Sequence, residues 1–73
     1  MPLTLSPMGK EAEVRRIGGK EAVRRHLEEL GIAAGSVVTV VAEAAGSMII
    51  SVKGARIAVG LDLANHIEVS PLQ

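Results

Sequence analysis

The chain has 73 residues, no cysteine, no Phe, Tyr or Trp, and a formal net charge of zero. These counts exclude a disulfide framework, a thiolate metal site and the aromatic platforms on which most single-strand binders stack bases. They also remove the basic footprint of a nucleic-acid binder. A 48% hydrophobic content, almost all Val, Ile, Leu and Ala, predicts one small globular domain over residues 1–73.

Leu3 and Leu5 alternate with Pro2, Thr4 and Ser6 before Pro7 and Gly9 break the pattern, which predicts a short edge strand and a turn. The next extended stretch places Ala12, Val14 and Arg16 on one face and Glu13 and Arg15 on the other, and ends at Gly18-Gly19. Lys20 to Leu30 reads as a helix. Val23, Leu27 and Leu30 recur at i, i+4, i+7 as one apolar stripe. The opposite face carries Glu21 with Arg25, Arg24 with Glu28, and Arg25 with Glu29 at i, i+4. Gly19 is a weak N-cap. At the other end Gly31 can take the left-handed conformation, so that Ile32 reaches back to Leu27 in a Schellman arrangement.

From Ser36 the period is two. Val38, Val40 and Ala42 face one way, and Val37, Thr39, Val41 and Glu43 the other. Ala44-Ala45-Gly46 is a turn, after which Met48, Ile50 and Val52 alternate with Ile49, Ser51 and Lys53. Gly54-Ala55 reads as a two-residue hairpin, with Ile57, Val59 and Leu61 on one face of the following strand. Asp62 can cap a helical turn over Leu63 to Asn65, and Ile67 and Val69 form a last strand before Pro71. Five or six short strands, one helix and Gly-rich turns predict a mainly β barrel with an inserted helix at about residues 20–30. Val37, Val41 and Ile49 lie on the second face of their strands, under the helix or against a partner.

Charge is unevenly placed. Lys10, Arg15, Arg16, Lys20, Arg24 and Arg25 make the front of the chain net positive, and residues 28–73 are net negative. Such a dipole orients a partner. Met1 to Gly9 carries no basic side chain, and no run of Ala, Val, Ile, Leu or Met exceeds three residues. Neither a signal peptide nor membrane insertion is expected, and the expected location is the cytoplasm.

Catalytic patterns are missing. There is no P-loop and no nucleophile elbow, Asp62 is the single aspartate, and His26 and His66 lie far apart. His26 shares a helix face with Glu29, but a well-formed metal site wants three or four ligands. The plainer reading makes His26 a partly buried helix residue beside Val23. The glutamates of the helix would oppose phosphate, against a nucleic-acid role. No enzyme activity, metal or cofactor is expected. A surface that binds protein is, with Arg15, Arg16, Arg24, Arg25 and Leu27 as candidate contact residues.

The segment Arg24-Arg25, Leu27-x-x-Leu30-Gly31-Ile32, Gly35 and Val37-Val38-Thr39-Val40 resembles the family of ferrous iron transport protein A, FeoA. So do Val52-Lys53-Gly54-Ala55-Arg56-Ile57-Ala58-Val59, Ala64, Ile67-Glu68-Val69, the opening Leu3-x-Leu5-x-Pro7-x-Gly9 and Val14-x-x-Ile17. Together these cover essentially the whole chain. One departure is Gly60, where members of the family commonly carry Arg. The resemblance implies an SH3-like β-barrel and a cytoplasmic accessory protein of ferrous iron uptake. It further implies that the chain binds and modulates the membrane permease FeoB through its cytosolic G-protein domain or its assembly. Arg24 and Arg25 would steer that contact, with aliphatic anchors. Two alternatives are an SH3-like regulatory module of an iron-dependent transcriptional repressor, for which this chain would be a fragment, and a scaffold barrel that forms homo-oligomers.

Overall fold

In the computed structural model, which describes residues 1–72, the alternating central third of the chain becomes an antiparallel meander. Its strands are β2 (Val37–Ala44), β3 (Ser47–Val52) and β4 (Ala55–Gly60). Val38 pairs with Val52 and Val40 with Ile50. Because side chains alternate across a strand, this register sends Val38, Val40, Met48, Ile50 and Val52 into the core together. Val41 is the extra residue of a bulge, since Val40 faces Ile50 while Ala42 faces Ile49.

Ala45 and Gly46 turn β2 into β3. The second turn lies one residue earlier than the Gly54-Ala55 pattern suggests. It is formed by Lys53 and Gly54, at φ 52° and 80°. Two consecutive positive φ values make the mirror-image turn whose twist matches the flanking strands, so the chain accepts a left-handed lysine to keep Val52 opposite Ala55. Leu61 also departs from the alternating pattern. It leaves the face of Ile57 and Val59 to begin α2 (Leu61–Ala64) and is 42% exposed. Gly60, and not Asp62, is the N-cap of that turn, and Asp62 sits inside it without a capping bond.

β1 (Glu11–Ile17) and β5 (Ile67–Pro71) complete a five-stranded sheet of order β4-β3-β2-β1-β5. Ala12 and Val14 are buried as expected, but Arg16 does not follow them inward. Val14 pairs with Val69 and Arg16 with Glu68, so Arg15 is the surplus residue of a bulge and both arginines face solvent.

α1 (Glu21–Glu29) follows the Gly18-Gly19 break, with Lys20 and not Gly19 at its N-cap. Its C-terminus is the Schellman arrangement. Gly31 has φ 95°, its N–H donates to the Glu28 carbonyl at 2.9 Å, and the Ile32 N–H donates to the Leu27 carbonyl at 2.9 Å. Leu27 and Ile32 are fully buried, Val23 is half-buried, and Leu30, the third residue of the expected stripe, is 37% exposed.

The opening segment is not a strand. Leu3–Leu5 is a single 3-10 turn, with the Leu5 N–H donating to the Pro2 carbonyl and the Ser6 N–H to the Leu3 carbonyl, both at 2.9 Å. Three residues per turn separate Leu3 from Leu5, where a strand would align them. Leu3 fills the core and Leu5 is 68% exposed. This turn packs against α2 and β5.

Candidate interaction surface

Four of the five candidate contact residues are on the surface. Arg15 and Arg16 sit at the β1 bulge, and Arg24 and Arg25 lie on α1. The fifth is not. Leu27 is fully buried in the core cluster, so it cannot anchor a partner. Helical periodicity identifies its apolar face but does not say whether the barrel or a partner covers it. The exposed aliphatic of this helix is Leu30, which the same periodicity groups with the core. It escapes because it is the C-cap, where the chain turns away.

Glu21 organises the helix charges. Its carboxylate accepts from Arg24 Nη2 at 2.7 Å and lies 3.6 Å from Arg25 Nε. The expected pairs Arg24–Glu28 and Arg25–Glu29 do not form among the described residues. Arg15 Nη1 donates to Glu13 Oε1 at 3.2 Å. All these pairs are exposed and worth about 0–1 kcal/mol, so they hold the arginines loosely and leave them free to meet another carboxylate.

The second face of the sheet is not covered by α1. Val37 is 41% exposed, and Val41 and Ile49 are half-buried. A groove of about 860 Å³ opens beside the start of the chain, lined by Met1, Leu5, Pro7, Lys10, Pro71 and Leu72 among others. The exposed Leu5 and Leu72 on its rim belong to segments that sequence patterning assigns to an edge strand or to none.

His26 is exposed, where a partly buried place beside Val23 is expected. The His66 ring lies against Gly19, with Nδ1 3.5 Å from where a Cβ would stand. Among the described residues no three His, Asp or Glu side chains gather as metal ligands, and no helix is long and apolar enough to cross a membrane.

The family model described as FeoA domain matches residues 1–71. The chain belongs to the FeoA family. Among solved structures, an iron uptake regulatory protein, FeoA, is 35% identical, with a TM-score of 0.88 over 97% of this chain and 95% of its own. FeoA of Stenotrophomonas maltophilia, solved with zinc and described as a prokaryotic SH3 domain protein, is 26% identical. Its TM-score is 0.82 over 96% of this chain and 89% of its own. A manganese-dependent transcriptional repressor is 25% identical with a TM-score of 0.89, over 99% of this chain but 41% of its own. Comparison with curated proteins gives no match. The fold is thus the SH3-like barrel of the FeoA family, and family membership supports an accessory role in ferrous iron transport.

Proposed function

We propose that this chain is a cytoplasmic accessory protein of ferrous iron uptake that binds the membrane permease FeoB at its cytosolic G-protein domain and modulates that domain or its assembly. The family match over residues 1–71 carries this reading. The contact is made by α1 and the adjoining bulge. Arg24, Arg25, Arg15 and Arg16 steer an acidic surface, and the exposed Leu30, not the buried Leu27, is the apolar anchor. Rim charges act mainly on association rate and salt dependence, and the apolar anchor on residence time.

The test is an amide-shift titration of the labelled chain with the permease's cytosolic G domain. Localised shifts over residues 21–32 are expected, as is weaker binding at high salt and after the double charge reversal Arg24→Glu with Arg25→Glu. Unchanged spectra at high partner concentration, or full binding by the double reversal, would overturn the helix contact.

A second reading has one observation in its favour, the likeness to a module covering 41% of a metal-dependent repressor. It requires this barrel to shift when mixed with a repressor's DNA-binding part and not with the G domain.

A further inference from the structure

The outer edge of β4 is open. Val52 and Ala55 flank a two-residue turn, so Ala55, Ile57 and Val59 exchange their backbone bonds with β3, and the N–H and C=O groups of Arg56 and Ala58 point away from the sheet. Among the described residues neither Arg56 nor Ala58 has a backbone partner on that side, and both are exposed. The strand carries no proline, no bulge and one charge, so it lacks the usual protection of an edge.

We propose that β4 is a self-association edge, pairing antiparallel with β4 of a second copy of this chain about a two-fold axis at Ala58. In this register Ala58 exchanges both bonds with the partner's Ala58, and the Gly60 N–H donates to the carbonyl of the partner's Arg56. The half-buried Ile57 comes to stand opposite the partner's Val59, which its own core already covers. Charge selects the second copy as occupant. Arg56 stands over the partner's Gly60, which has no side chain to oppose it. The exposed Asp62 of the partner, two residues further on, lies within reach of the guanidinium. Among the described residues, neither Arg56 nor Asp62 makes an ion pair within one copy. One strand pairing buries less than a standard interface, so the dimer is reversible and concentration-dependent.

Gly60 supplies a clean test. Its φ is −60° and a Cβ there meets nothing within 4 Å, so substitution leaves the monomer fold intact. Gly60→Arg sets like charges directly opposite, and Gly60→Glu sets opposite ones. Sedimentation velocity read by refractive index, over a hundredfold range of concentration, is expected to show monomer passing to dimer for the natural chain. Gly60→Arg is expected to stay monomeric and Gly60→Glu to dimerise at least as readily. Protection of the Ala58 amide from exchange should rise with concentration in the natural chain alone and in Gly60→Glu. A natural chain that stays monomeric throughout would overturn the proposal, as would identical behaviour of the two variants. So would protection of Ala58 that appears only on addition of the permease G domain, which would assign the edge to a different protein.

Discussion

The two edges of the sheet end in different ways. At the β5 edge the Val69 N–H donates to the Met1 carbonyl at 2.8 Å, and the Met1 amine donates to the Val69 carbonyl at 2.9 Å. Pro2 bridges Glu68, Pro71 has no N–H to offer, and Leu3 drops into the core behind them. At the β4 edge nothing comparable arrives among the described residues, and Arg56 and Ala58 face outward without backbone partners there. Among the described residues, the segment that closes an edge, Met1 and Pro2, lies at the β5 side. Stability is therefore expected to concentrate at the closed edge and association at the open one.

The strongest way to break that contrast is to remove the plug of the closed edge. Leu3→Ala empties a fully buried site and is expected to cost about 2–5 kcal/mol. A domain of this size has about 4–11 kcal/mol in total, so the loss is a large fraction of the whole and should lower the urea midpoint markedly. Ile57→Ala at the open edge removes a half-buried side chain and should cost about half as much. Urea titrations followed by far-ultraviolet circular dichroism measure both. Equal losses at the two positions would show that the edges do not differ in how they support the core.

The contrast also marks where the sequence is readable. The meander is legible because period-two alternation, a buried face and Gly-centred turns agree from Val38 to Val59. The end of α1 is legible because Gly31 permits one conformation that few other residues take. The closed edge is not. Leu3-x-Leu5 satisfies a strand pattern, yet two backbone bonds, from Leu5 to Pro2 and from Ser6 to Leu3, turn it into a 3-10 helix, and only long-range pairing with β5 decides between them. The bulges at Arg15 and Val41 are unreadable for the same reason, since each is a property of two strands in register and not of one. In the candidate surface, the placement of Arg24 and Arg25 on an exposed helix face is legible from charge periodicity. Leu27 and Leu30 exchange roles because the Schellman turn, and not the stripe, determines which leucine the barrel covers.

A smaller effect is expected where the open strand begins. Gly54→Ala puts a Cβ on a residue at φ 80°, a strain of about 1–2 kcal/mol with no steric relief needed elsewhere, since nothing lies within 4 Å of that Cβ. Thermal unfolding should fall by about 4–8 °C for each kcal/mol lost. The amides of β4 should lose protection before those of β5, because the turn supports one edge and not the other. Uniform loss across the sheet would mean that the barrel opens as one unit and the edge distinction has no energetic content.

The smallest effect has the opposite sign and comes from the neighbouring residue. Lys53 holds φ 52° without the freedom of glycine, so relaxing it should stabilise the turn. Glycine is the wrong choice for this. It removes the strain but adds unfolded-chain entropy of about 0.4–1 kcal/mol, and the two contributions nearly cancel. Asparagine tolerates the left-handed region while keeping a side chain that restricts the unfolded chain, and Asn-Gly is a favoured pair for this turn. Lys53→Asn is therefore expected to gain about 0.5 kcal/mol, which is a rise of about 2–4 °C in Tm, and Lys53→Gly to change little. If Lys53→Gly stabilised as much as Lys53→Asn, the lysine would be more strained than its φ implies. If neither helped, the register of Val52 with Ala55, and not the turn residues, would be what holds β4 to the sheet.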